Sequence, residues 1–155
     1  MEIAKGIETF SNMLQYSNRV KTDQLVPLKQ EINYIDDFIL LQRSLNENLS
    51  VVFEREEFNP DIKIFPRILI SLVENAFKHG DVMNPMRPIK ISIKIAESRI
   101  VCSVENRKVK VNYIESTGIG NLHLKKILDF FYRDQHLFKI IENDEYFKSE
   151  LVLNF

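Results

Sequence analysis

A chain of 155 residues with 45% hydrophobic and 28% charged side chains has the length and composition of one globular domain with a buried core. Its formal net charge of −1 and the lack of a basic stripe argue against a polyanion-binding surface, so nucleic acid is not expected as a partner. The single cysteine, Cys102, rules out an internal disulfide. Neither a signal peptide nor an apolar run of the roughly 20 residues that a membrane helix needs is present, so a soluble chain is expected.

Ile3, Ile7, Phe10 and Leu14 recur at helical spacing and predict a helix over 3–18, which reads as the end of a helix belonging to a longer protein. A polar linker, 18–26, leads to Pro27, expected in the first turn of a second helix over 28–46. There Leu28, Ile32, Ile35, Ile39 and Leu45 make the apolar stripe, widened by Phe38, Leu40 and Leu41. A strand over 49–55 and a turn at Asn59-Pro60-Asp61 come next. Pro66 opens a third helix running to His79, with Gly80 expected as a C′ residue at positive φ. Two strands follow, 89–96 and 99–106, joined at Glu97-Ser98; Cys102 alternates with Ile100 and Val104 there and reads as a small core residue. A loop over 107–117, a helix over 118–132 and strands over 136–142 and 146–154 complete the chain. The order predicts an α/β (α+β) two-layer sandwich, with helices on one face of a mixed sheet and a helical segment ahead of it.

Three stretches carry chemistry. On the third helix, about 100° per residue puts Asn75, Lys78 and His79 on one face, with Glu74 at the border and Leu69, Leu72, Val73 and Ala76 on the apolar side. An amide oxygen, an amine and a carboxylate there suit a magnesium-bound triphosphate: Mg²⁺ needs few protein ligands, Lys78 can offset phosphate charge, and Glu74 can polarise a nucleophile. A solvated helix face with a Glu74–Lys78 pair explains the same residues more plainly. Thr117-Gly118-Ile119-Gly120 opens the fourth helix, where glycines let phosphate reach backbone N–H groups at the positive end of the helix dipole; an ordinary loop-to-helix turn is the alternative. Asn106, ending a strand on its core face, can pair with the edge of adenine, or can simply cap a turn.

Taken together, the stretch from Ile64-Phe65-Pro66 to Gly80, with the core Leu72-Val73-Glu74-Asn75-Ala76-Phe77-Lys78-His79-Gly80, resembles the N-box of LytS-type sensor histidine kinases. Gly118-Ile119-Gly120 and the helix from Leu124 to Tyr132 look like that family's G2 box. Val26-Pro27-Leu28-Lys29-Gln30-Glu31-Ile32 and Phe38-Ile39-Leu40-Leu41-Gln42 are similar to its segment between dimerisation helices and ATPase domain. The resemblance implies the Bergerat (GHKL) fold binding Mg-ATP, with residues 1–20 as the end of a dimerisation and phosphoacceptor helix and 21–155 as the ATP-binding catalytic domain. Carried over, it implies that Glu74 is the catalytic carboxylate, Asn75 the magnesium ligand, and Lys78 and His79 contacts for phosphate or ribose. Gly118, Ile119 and Gly120 would let the following helix approach the triphosphate. Where the family's G1 box has Asp-x-Gly, this chain has Asn106-Arg107-Lys108; Asn106 can still pair with adenine, and Lys108 exchanges a glycine's freedom for an amine. Asn121 and His123 stand where the family usually has Leu and Asn. The resemblance further implies transfer of the γ-phosphoryl group to a histidine outside this chain, a homodimeric, membrane-anchored bacterial parent with this domain in the cytoplasm, and a response regulator as partner. A degenerate Bergerat domain serving dimerisation or regulation, and a serine kinase or other ATPase on the same fold, are the alternative readings.

Overall fold

The computed structural model describes residues 2–21, 23–109 and 119–155. The described residues form two compact units, Met1–Leu49 with Phe58–Ile70, and Ser50–Glu57 with Ser71–Phe155.

In the first unit, α1 (Glu2–Arg19) packs along α2 (Leu28–Leu45). The packed face of α2 is the predicted one, with Leu28, Ile32, Ile35 and Ile39 buried, while Leu45 is exposed at the helix end. Among the described side chains of α1 the buried ones are Thr9 and Met13; Ile7, Phe10 and Leu14 stay exposed, so these three members of the apolar stripe are not on the face it packs with. Pro27 sits one position ahead of the first turn, as the N-cap residue with φ −56°. The linker holds a strand that the sequence did not suggest: β1 (Val26–Pro27) pairs antiparallel with β3 (Lys63–Ile64), and Leu28 N–H donates to Ile62 O at 2.8 Å. Two residues are too few for a readable alternation.

α3 (Ile68–His79) starts in the first unit and ends in the second. It begins two residues after the expected Pro66, because Arg67 has φ 65°, a left-handed conformation that no helix can include.

The second unit is built on a five-stranded sheet of β2 (Val51–Arg55), β4 (Ile89–Ala96), β5 (Arg99–Arg107), β6 (His136–Glu142) and β7 (Tyr146–Asn154), in the order β2-β4-β5-β7-β6. β2 runs parallel to β4 and every other pairing is antiparallel, so the sheet is mixed, as expected. Its register aligns the apolar alternation: Ile91 faces Val104, Ile93 faces Cys102, and Cys102 faces Leu151. These residues are buried together with Leu72, Val73 and Ala76 of α3 and Leu124 and Leu128 of α4 (Ile119–Phe131). Each such large aliphatic side chain contributes about 1.5–3 kcal/mol on burial. Cys102 is fully buried and its thiol is pushed up to about 12 by that burial, which makes it inert packing. Glu97 takes φ 45° in the β4–β5 turn, as a two-residue hairpin demands. A short 3-10 turn, Arg133–Gln135, links α4 to β6.

Candidate functional site

The site grows from the C-terminal part of α3. Leu72, Val73 and Ala76 are buried, Asn75 and His79 half-buried, and Glu74 and Lys78 exposed, so the predicted division of the helix into apolar and polar faces holds. Lys78 and His79 lie in the last turn, where the negative end of the helix dipole favours cations. Burial, and after it the Lys78 ammonium, push the His79 imidazole below its ordinary value of 6.5, leaving a neutral ring at pH 7.

Gly80 joins this helix to the sheet. Its N–H donates to Ala76 O at 2.8 Å, and it forms an antiparallel bridge with Lys108. Asp81 N–H donates to Arg107 O at 2.8 Å, so the end of α3 is laced to the end of β5. The expected positive φ at Gly80 is not found. Glycine is required there by space: a Cβ would overlap the carbonyl oxygen of Ala76 and stand 3.0 Å from both Cβ and Nδ2 of Asn106.

Asn106 is thereby pressed against the end of α3 on the buried face of β5, 3% exposed. Its Nδ2 donates to Arg107 O at 3.2 Å; its Oδ1 is buried and, among the described residues, has no hydrogen-bond partner. An acceptor left so costs about 1–3 kcal/mol, recovered by any ligand that brings a donor to it. Lys108 has its Nζ 2.6 Å from Glu142 Oε2, an exposed ion pair worth at most about 1 kcal/mol. Ile119 and Gly120 open α4, with open space where a Cβ on Gly120 would lie; Gly118 falls outside the described residues. The structure therefore joins the α3 and β5 groups at Gly80 and leaves the glycine turn incompletely described. Beside them a cavity of about 220 Å³ is lined by Lys90, Glu105, Asn106, Arg107, Glu145 and Tyr146, among others. It is smaller than the roughly 300 Å³ at which ligand pockets begin, and Glu105 and Tyr146 fill its wall with their own hydrogen bond of 3.0 Å.

No protein-family model matches the chain. A sensor-like histidine kinase of Staphylococcus epidermidis is 28% identical over 131 residues, covering 83% of this chain and 23% of that protein. Sensor histidine kinase YpdA of Escherichia coli is 28% identical over 145 residues, covering 81% of this chain and 24% of that protein. The chain thus spans about a quarter of the length of these relatives. Among solved structures, the catalytic domain of histidine kinase ThkA superposes with a TM-score of 0.59 at 17% identity, covering 84% of this chain and 94% of that one. The histidine kinase domain from the blue-light activated kinase EL346 of Erythrobacter litoralis gives 0.58 at 9% identity, covering 99% and 75%. The fold is that of histidine kinase catalytic domains.

In this fold the crossing of α3 and β5 at Gly80 sets the spacing between the polar face of the helix and the amide of Asn106. Sequence reasoning found each of these residues but not that contact. The signal available was the rarity of glycine, four in the whole chain, at a helix end.

Proposed function

We propose that this chain is the nucleotide-binding catalytic domain of a LytS-type sensor histidine kinase, which binds Mg-ATP and passes its γ-phosphoryl group to a histidine on a partner helix. The observation that carries the reading is the buried Oδ1 of Asn106 on β5, an acceptor without a donor among the described residues, beside the end of α3. It fits the exocyclic amino group of adenine, and the second hydrogen on Nδ2 can serve the neighbouring ring nitrogen. The similarity to sensor histidine kinases supports the same reading.

In this proposal Asn75 supplies an amide oxygen to Mg²⁺, which offsets phosphate charge when bound. Lys78 and the neutral His79 ring hold phosphate or ribose. Exposed Glu74 polarises the incoming imidazole, whose nitrogen takes the phosphoryl group as the bond to the ADP oxygen breaks. The N–H groups of Gly118, Ile119 and Gly120 approach the triphosphate at the start of α4. Lys108 reaches a phosphate only by releasing Glu142. Residues 1–20 belong to the dimerisation helix of a homodimeric, membrane-anchored parent with this domain in the cytoplasm, and a response regulator receives the phosphoryl group. Among the described residues no helix of this chain is long and apolar enough to cross a membrane.

Calorimetric titration tests the reading. Mg-ATP should bind, Asn75→Ala should remove the magnesium-dependent part of the affinity, and Asn106→Ala should weaken ATP about tenfold or more while leaving inorganic triphosphate unchanged, the loss of about 1–3 kcal/mol expected from an unmade bond. No heat at millimolar nucleotide, or equal losses for ATP and triphosphate, would overturn it.

A further inference from the structure

α3 starts without the residues that normally begin a helix. Its first turn holds no acidic side chain, and the residue before Ile68 is Arg67, held at φ 65°, where Ser, Thr, Asp or Asn would accept the free N–H groups. An acceptor does reach them, from another helix. Glu31 of α2 is 0% exposed, and its Oε1 accepts the Arg67 N–H at 2.8 Å. The Leu69 N–H also favours the charged carboxylate. The same Oε1 accepts the Tyr16 hydroxyl of α1 at 2.6 Å, and the Arg67 guanidinium returns to α1, donating to the Ser17 carbonyl at 2.9 Å and to its hydroxyl.

We propose that Glu31 is a positioning residue: it caps the N-terminus of α3 from α2 and, through Tyr16 and Arg67, ties that helix start to the end of α1. A buried carboxylate is costly unless it is hydrogen-bonded, and here its donors are the Arg67 N–H at the start of α3 and the Tyr16 hydroxyl, at the end of a helix whose dipole favours negative charge. The 26–32 segment thereby acquires a task. Its Leu28 stripe packs the helix, and its glutamate sets where α3 begins. The polar groups of the candidate site lie on the last turns of the same helix, so a firm helix start supports the element that carries them. The link to nucleotide rests on the function proposed above; the cap does not.

Amide hydrogen exchange of the whole chain without nucleotide tests the cap alone. In Glu31→Ala the amides of residues 67–70 should exchange at least about fivefold faster, as loss of an N-cap implies, with β4 and β5 unchanged. Glu31→Gln keeps an acceptor and should recover part of that protection. Tyr16→Phe leaves the cap in place and should accelerate exchange only in the last turn of α1. Should Glu31→Ala not fold, Glu31→Gln and Tyr16→Phe still decide. Wild-type exchange at 67–70 in Glu31→Ala, or a uniform acceleration across the sheet in either Glu31 variant, overturns the cap; an unchanged α1 in Tyr16→Phe overturns the tie. Mg-ATP affinity is then measured on the same variants: it should fall in Glu31→Ala and recover with Gln, and equal affinity in all of them overturns the positioning role. If the wild-type protein binds no nucleotide, the exchange results stand by themselves and only the function proposed earlier fails.

Discussion

Gly80 has no room for a side chain, and that makes it a sharp probe of how closely α3 meets the sheet. Alanine there would push against the Ala76 carbonyl and the Asn106 side chain at once. Overpacking of a tight contact costs about 1–3 kcal/mol, so Gly80→Ala should lower the urea midpoint accordingly and displace the amide that faces adenine in the proposed function. A variant with wild-type stability and unaltered ATP affinity would mean that the backbone can part here without consequence. Glu31 is the second informative position. Burial raises its carboxyl above the ordinary value of 4.5, opposed by the Arg67 N–H, the Tyr16 hydroxyl and the Leu69 N–H. Because the folded protein then binds the proton more tightly than the unfolded chain, this group's contribution is fully present below pH 4.5 and is lost as pH rises through the raised folded value. Asp37, also raised by burial and by Asp36, tilts the curve the same way, so only the difference between wild type and Glu31→Gln isolates the effect. Urea unfolding between pH 4 and 8 should show the wild type losing stability relative to the variant over that window, by at most about 1.4 kcal/mol per pH unit. Parallel curves would place the carboxyl in a solvent-like setting.

Long periodic segments declare themselves, and short or tertiary-determined ones do not. The alternation of Ile89, Ile91 and Ile93 against Ile100, Cys102 and Val104 made β4 and β5 readable, and β6 and β7 fall at the expected residues. β1 and β3, two residues each, exist through pairing with one another and have no local signature. The start of α3 was misplaced at Pro66 because the left-handed Arg67 is held by a hydrogen bond to a residue 36 positions earlier, which no window of sequence contains. α1 shows the opposite case. Its apolar periodicity identifies the helix correctly, yet Ile7, Phe10 and Leu14 are not the side chains that α2 covers, because periodicity reports that a face is apolar and not what covers it. Of the candidate site, the helical half, Glu74 to His79, was legible from its two-faced pattern. Asn106 was legible as a strand-end amide. Its buried oxygen, without a partner among the described residues, could emerge only once α3 and β5 were laced through Gly80.

The chain's histidines bear on the whole of the proposed reaction. His79 stands at the end of α3, its ring held neutral; His136 begins β6 with Nε2 3.3 Å from Asp129; His123 is exposed on α4. None lies on α1, and in the proposed function none is the acceptor, which is a histidine on a partner helix. A phosphoryl transfer organised by positioning and electrostatics should then divide cleanly between chains. With labelled ATP, this protein alone should stay unlabelled, and adding a helical segment that carries the proposed acceptor histidine should place label on that segment. Glu74→Gln should retain ATP binding, because in the proposed function the carboxylate acts on the nucleophile and not on the nucleotide, while transfer falls by about 100-fold or more, the usual worth of a general base. Label on His79, His123 or His136, or undiminished transfer by Glu74→Gln, would require a different acceptor or a different base. Asn75→Ala should instead lose transfer and binding together. The two variants therefore separate the group proposed to act on the incoming imidazole from the one proposed to hold Mg²⁺, although the residues are neighbours on one turn of α3.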